Sequence, residues 1–492
     1  MTKHNRIDYV QRHKKLTSLL ESGKTVLLVA LVVCLVAQIV VYIRGTYIYR
    51  SVTSSGSLNS FDKLWNVQSG ASSEGLDGDR LLPEFIGYKL PSSQPMCSVA
   101  DRESTTELYE LVKSCILELF GSESICRRLP DSEGARIFDE AVNSEEYIYI
   151  RYHEPVLYQL IYAYAADRLT ISESDVAVHS SMSADTEFSG AYVSELIIVP
   201  DKKFAYHRSI AYATDGQGNY YEFSQNDSVM ASDFFISKLD VSAQAITIYP
   251  FTFDATFAST QYMLDEELET EDISVEPVTV NGELSTPLLK LLGYNPDKIS
   301  SYEDDGLTVY VDAYSRLKLS ESHLLYQASD ESHGVKLNSL LDYTNSDSLN
   351  LFDKLTAVDN LIRRLGVISS DLVGREASLC LGEIYNEDGL LVIEYFLTYQ
   401  NIRIDGDVCL RAKLSQDRLC ELEFTPRSVT GSGETSLSPQ QSYILRKLSD
   451  TGQIPADSEL SAMRMRYRDG TAAWTVSLSR TVALSRTVSL SK

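Results

Sequence analysis

The sequence predicts an α+β protein: a single N-terminal transmembrane helix followed by a multi-domain ectodomain of antiparallel sheets with flanking helices. Three observations lead there. Residues 25–43, TVLLVALVVCLVAQIVVYI, run for 19 positions without a charge. After them, short runs of alternating Tyr, Val and Ile recur between turn residues, the pattern of half-buried strands. Between those runs stand a few segments whose apolar residues fall at i, i+3, i+4 and i+7, the spacing of a helix with one buried face.

Residues 1–24 form the predicted cytoplasmic tail. Lys3, Arg6, Arg12, Lys14, Lys15 and Lys24 against Asp8 and Glu21 give it +4, so the chain's −25 leaves −29 on the remainder. The uncharged run makes a helix about 28 Å long, close to the ~30 Å hydrocarbon core of a bilayer. Lipid offers the backbone no partners, so helix is the conformation open to it despite its many valines. A cleaved signal peptide would stop sooner and end in small residues, whereas this run continues past Ala37 into Gln38 and Ile39. Lys24 and Arg44 mark the membrane boundaries, and Tyr42, Tyr47 and Tyr49 supply aromatic anchors on the far side. Positive flanks stay inside. The expectation is a single-pass, type II protein of the cell membrane, N-terminus cytoplasmic and C-terminal bulk extracellular. Ala30, Cys34 and Gln38 share one face of the span, with Ala37 beside them. Small residues let helices approach, and an amide in hydrocarbon gains about 1 kcal/mol from a partner. These four are the candidates for helix–helix recognition.

Apolar residues make up 43% of the chain and aromatics 10%, enough for folded cores, and 30 tyrosines against 2 tryptophans favour strands. The acidic balance excludes nucleic acid and anionic lipid as partners of the ectodomain. Outside the span stand Cys97, Cys115, Cys126, Cys380, Cys409 and Cys420, with no CxxC pair; they read as small buried hydrophobes rather than a disulfide framework.

Residues 44–100 are rich in Ser and Gly and read as a juxtamembrane stalk. An N-terminal α+β domain follows over 101–275. Ser104 with Glu107 resembles a capping box, opening a helix that buries Leu108, Val112, Cys115 and Leu119 and stops at Gly121. Strands are expected at 147–152, 192–199, 210–213, 220–223 and 245–249, with a helix opening at Pro155. The acidic run 264–277 reads as a domain boundary or solvated loop. A middle α+β domain over 276–375 holds a short helix from Pro287, strands at 307–313 and 323–327, and a helix at 352–365. The C-terminal unit, 376–475, reads as a meander of four strands, then a helix capped by Ser438-Pro439-Gln440-Gln441. Residues 476–492 form a tail that continues three near-identical hexapeptides beginning at Thr475.

Chemistry is harder to find. His4, His13, His153, His179, His207, His323 and His333 are scattered, with no HExxH and no tight His/Cys cluster to hold a metal. Ser315-Arg316-Leu317-Lys318 spells SxxK but lies among strands, and neither SDN nor KTG follows. No Gly-rich phosphate loop occurs. The reading is a non-enzyme without cofactor.

At the C-terminal unit the chain resembles the YycH/YycI family, membrane-anchored accessory regulators of the WalK sensor histidine kinase in Gram-positive bacteria. The resemblance rests on LVIEYFLTYQNIRIDGDVCLRAKLSQDRLCELEF, on LSPQQSYILRKL after a Ser/Gly-rich gap, and on Ala473-Trp474. It includes an Asn-x-x-Ile element at Asn401. The single span and large ectodomain are also similar, whereas the hexapeptide tail departs from the pattern. What the resemblance implies is two-component regulation by binding: contact with a sensor kinase, and with a paralogous regulator, through the membrane helix and the ectodomain, in control of cell-wall metabolism. The rival expectations are an extracytoplasmic cell-wall enzyme and a PepSY- or sporulation-type module restraining a hydrolase.

Overall fold

The structure is a computed structural model that describes residues 78–121, 124–166, 191–201, 209–225, 246–254, 261–264, 266–341, 349–406, 408–452, 458–480 and 486–489. The expected tail, membrane span and stalk residues 44–77 lie outside the described residues, while 78–100 is corrected from stalk to folded chain, with strands at Phe85–Lys89 and Met96–Val99 that bury Phe85, Ile86 and Cys97. So do Lys24, Ala30, Cys34, Ala37, Gln38 and Arg44. Among the described residues no helix is long and apolar enough to cross a membrane. What is described is a mixed α+β protein of mostly antiparallel sheets with few helices.

The first sheet has nine strands: β1 (Phe85–Lys89), β2 (Met96–Val99), β3 (Ser124–Leu129), β4 (Tyr147–Leu157), β5 (Tyr192–Pro200), β6 (Ser209–Thr214), β7 (Tyr220–Gln225), β8 (Tyr249–Asp254) and β9 (Gln261–Leu264). Their spatial order is β3-β7-β6-β5-β4-β1-β2-β8-β9. Helices α1 (Arg102–Phe120), α2 (Asp131–Val142) and α3 (Tyr158–Ala165) accompany it. In β7, Phe223 meets Phe120 of α1 with ring centres 4.6 Å apart, and Tyr220 meets Phe138 of α2 at 6.2 Å. Strand residues three apart point to opposite faces. The two helices therefore cover opposite sides of the sheet.

Three expectations in this region are corrected. Helix α1 opens at Asp101, whose Oδ1 accepts from the Ser104 amide at 3.2 Å, not at Ser104; the Ser104 hydroxyl instead takes the Thr247 amide at 2.8 Å. Pro155 lies inside β4, where the register to β5 shifts between Arg151 and Val156, and the helix waits until Tyr158. A bulge can hold a residue with no N–H to give. The strand expected at 245–249 begins at Tyr249, the first residue there with a partner across the sheet, Cys97.

The acidic run is strand rather than solvated loop. β10 (Leu268–Pro277) pairs antiparallel with a distant long strand, burying Leu268, Thr270 and Ile273 and leaving Glu269 and Glu276 exposed. Beyond it come α4 (Ser285–Leu291), β11 (Ser300–Asp304), β12 (Leu307–Val311), β13 (Ser315–Leu319), β14 (Leu324–Ala328), β15 (Val335–Lys336) and α5 (Leu351–Ile368). Asn350 and Asp353 close a capping box on α5, whose Leu355, Val358, Leu361, Ile362 and Leu365 are buried. The C-terminal meander follows as β16 (Ser378–Glu387), β17 (Leu390–Tyr399), β18 (Ile402–Ile404), β19 (Leu410–Ser415) and β20 (Arg418–Phe424). The Ser/Gly-rich gap is itself β21 (Arg427–Ser438), the partner of β10. Helix α6 (Gln441–Asp450) begins after Gln440 without a side-chain cap, because Ser438 ends β21 and gives its hydroxyl to the Ala472 carbonyl at 3.1 Å. Strands β22 (Ser458–Arg468), β23 (Thr471–Arg480) and β24 (Arg486–Ser489) complete the chain.

Among the described residues β10 and β21 form a two-stranded sheet of their own, and the other thirteen strands from β11 to β24 build a second large sheet with the main path β11-β12-β13-β14-β20-β19-β17-β18-β22-β23-β24. The pairing of β14 with β20 puts strands from 300–328 and from 378–489 in one sheet. Among the described strands only β18 and β22 pair parallel. The buried apolar side chains of both sheets form one continuous cluster. Cys97, Cys115, Cys380, Cys409 and Cys420 are buried, as expected of small hydrophobes, while Cys126 is exposed on β3.

Candidate functional site

The densest grouping of buried charge lies where the two sheets meet. Strand β4 brings Arg151 and His153 from the first sheet, and the chain entering β1 brings Glu84. The turn before β18 brings Asn401, and β22 brings Arg464 and Arg466 from the second. Arg151 is 1% exposed. Its Nε lies 3.4 Å from Glu84 Oε2, its Nη2 donates to Tyr262 Oη at 2.9 Å and to the Met463 carbonyl at 3.0 Å, and its guanidinium stands 4.4 Å from the Tyr262 ring centre. Arg464 Nη1 reaches the same Glu84 oxygen at 3.2 Å and donates to the carbonyls of Tyr152 and His153. One carboxylate thus clamps an arginine from each sheet.

Asn401 is the second clamp. Its backbone takes φ +62°, the left-handed region that asparagine tolerates better than most residues. Its Nδ2 donates to the carbonyls of Pro83 at 2.7 Å and Glu84 at 3.3 Å, which leaves Oδ1 as acceptor for His153 Nε2 at 3.3 Å. That assigns the tautomer: His153 carries its proton on Nε2. Its Nδ1 is then a buried acceptor without a hydrogen-bond partner. Beside it is a cavity of about 10 Å³, lined in part by Tyr152, His153, Glu154 and Cys380, the room of about one water.

Charge at the junction follows from burial and from these neighbours. Burial alone would raise the Glu84 pKa, but Arg151 and Arg464 outweigh it and hold the carboxyl at about 2. Burial pushes His153 down to about 3, with Arg466 opposing its proton while Glu84 favours it. Burial likewise lowers Arg466 to about 10. Burial alone would lower Arg151, but Glu84, together with Tyr262, Tyr149 and Glu195, outweighs it and raises its pKa. The resting junction therefore holds Glu84 ionised, His153 neutral and its arginines charged.

A second contact joins the sheets through α5. Asp359, fully buried, accepts from Tyr164 Oη of α3 at 3.2 Å and Tyr395 Oη of β17 at 2.8 Å. Among the described residues no group of three or more His, Cys, Asp or Glu could hold a metal ion. The junction's arrangement suits mechanical coupling of two sheets: its polar atoms face one another, and its cavity has room for a water.

Sequence reading placed His153 among scattered histidines and gave no role to Glu84, Arg151 or Arg464. Asn401 stood inside the Asn-x-x-Ile element that carries the family resemblance, and Ala473-Trp474 belongs to the same resemblance. Trp474 is 3% exposed and donates to the Pro439 carbonyl at 3.1 Å, tying β23 to the start of α6. His323 and His333 sit apart, beside Glu423 and Asp330.

No family model matches the chain, and no curated protein matches it in sequence. A solved structure does match: the crystal structure of YycH from Bacillus subtilis superposes with a TM-score of 0.51, covering 86% of this chain and 98% of that one at 9% identity. The fold is YycH-like. The likeness spans both sheets, so the YycH-like architecture extends well beyond the C-terminal unit where the sequence resemblance was read. At this identity it is a likeness of architecture, carried by the order and pairing of elements rather than by shared side chains.

Proposed function

We propose that this protein is a membrane-anchored, extracytoplasmic regulator that binds and modulates a sensor histidine kinase of the WalK type, and that it works by contact rather than by catalysis. The observation that carries the reading is the YycH-like fold over most of the chain. It agrees with the family resemblance at 391–424 and 437–448 and with the uncharged run 25–43 that would hold the body at the membrane. In this reading the span contributes the face Ala30, Cys34, Ala37 and Gln38, and the two coupled sheets form the extracellular body. A paralogous regulator is the second partner. Control of cell-wall metabolism is the output the resemblance implies.

The test is co-purification of the full-length protein with the kinase from membranes. Replacing Gln38 with Leu, and Ala30 and Cys34 with Ile, is expected to reduce recovery of the kinase and to change expression of its target genes. Undiminished recovery would remove the membrane face from the proposal. Recovery of a cell-wall hydrolase in place of a kinase would overturn the choice of partner.

A further inference from the structure

Residues directly opposite on paired strands share a face. On one face of the second large sheet Leu317 stands opposite Tyr326, and Leu319 opposite Leu324, all buried. On the other, outer face the register sets Tyr302 of β11 beside Val309 of β12, then Lys318 of β13, Leu325 of β14 and Glu423 of β20. The neighbouring row holds Val311, Arg316, Gln327 and Glu421.

This outer face changes character partway across. Toward β17 its charges answer one another: Arg411 lies 2.8 Å from Glu394 and 3.4 Å from Glu423, and Lys413 lies 2.7 Å from Glu387 and 3.5 Å from Glu421. Toward β11 they do not. Among the described residues the side chains of Arg316, exposed, and Lys318, half-buried, have no ion pair or hydrogen bond. Around them lie half-buried Leu307, Val311 and Leu325, buried Val309, and Tyr302, which is 54% exposed. None of these five apolar side chains belongs to the apolar cluster that the described residues form between the sheets.

We propose that the outer face of β12 and β13 is a docking surface for an amphipathic, acidic helix of another protein. Charge and spacing choose that occupant. Arg316 and Lys318, two apart on one strand, stand about 7 Å from each other. Carboxylates at i and i+4 of a helix stand about 6 Å apart along its axis. A helix lying along the strands sets such a pair over β13 and its apolar stripe over Leu307, Val309 and Val311 of β12, with Tyr302 at its side. A basic helix has little to meet here, because Lys413 and Arg411 hold Glu421 and Glu423, which leaves Asp304 at the turn before β12. Salt screens exposed charges beyond about 8 Å, so the two unpaired cations, rather than the acidic balance of the whole chain, govern what binds at contact.

The test uses the full-length chain in detergent and the fluorescence anisotropy of a labelled helical peptide of Leu, Glu and Ala, its Leu stripe flanked by Glu at i and i+4. A second peptide carries Gln in place of Glu, and a third carries Lys. The unaltered chain is expected to bind the Glu peptide about tenfold more tightly than the Gln peptide, and to lose about tenfold when Arg316→Glu and Lys318→Glu are combined. Both side chains lie on the outer face, so the exchange spares the core. The altered chain is then expected to prefer the Lys peptide, a gain that a misfolded variant would not show. Four results would overturn the proposal: no binding of the Glu peptide, equal binding of the Glu and Gln peptides, undiminished binding by the double variant, or no gain of the Lys peptide by it. Tighter binding of an extended peptide of alternating Glu and Val would overturn the helix as occupant. A doubled mass in sedimentation that the double variant loses would give the face to a second copy instead. The kinase co-purification above reports on the membrane face and is decided separately.

Discussion

Arg151 is almost wholly buried yet keeps its charge, because Glu84, the Tyr262 hydroxyl and the Met463 carbonyl together replace the water it has left. Removing one member of such a set strands the others. Arg151→Met is expected to destabilise the fold by roughly 3–5 kcal/mol, read from the denaturant midpoint. Adding Glu84→Gln to it is expected to recover part of that loss, since the carboxylate then no longer faces a missing partner. A second prediction concerns acid. His153 is held at about 3 against its ordinary 6.5, and Glu84 at about 2 against 4.5. In both cases the unfolded chain takes up its proton first as pH falls, so stability drops with falling pH. His153 contributes between 6.5 and 3, Glu84 between 4.5 and 2, and both contributions are complete at neutral pH. His153→Gln should flatten the limb between pH 6.5 and 4.5 in a series of urea midpoints, where His153 acts without Glu84, and make the fall between 4.5 and 3 less steep.

Elements formed where local pattern and tertiary partner agreed. Helix α5 has both a capping box and an apolar face, and it lies almost where periodicity put it. Helix α2 shows a close approach that a helix-propensity argument would misjudge. A Cβ on Gly134 would lie 2.3 Å from Cβ of Tyr220 in β7, so this glycine is what lets the helix approach the sheet. Replacing a helical glycine with alanine ordinarily gains about 1 kcal/mol, while forcing extra volume into a packed contact loses about 1–3 kcal/mol. Because the clash is with a Cβ fixed to a strand, the loss is expected to win. Gly134→Ala should lower the melting temperature.

At the scale of the molecule, one apolar cluster runs through both sheets, and β20 lies between β14 and β19. A fragment of residues 376–475 alone would strip β14 from β20 and β10 from β21. Such bare edges invite association with other chains. That fragment is expected to be insoluble or to lack cooperative unfolding, whereas 266–489 keeps those pairings. Solubility and circular dichroism of the two would show the difference.

Sequence by itself determined the α+β class, the hairpin around 215–219, helix α5 and most of the C-terminal meander, because each is written in residues close together along the chain. It is also the whole basis for proposing a membrane span with a face at Ala30, Cys34, Ala37 and Gln38. Tertiary structure alone decided the rest. Glu84 and Arg464 are 380 positions apart, and Arg151 and the Met463 carbonyl 312. The acidic stretch 268–277 became a strand because β21 was there to receive its backbone hydrogen bonds. Local pattern reports which face a residue turns inward; which distant residue waits on that face is settled only when the sheets close on each other.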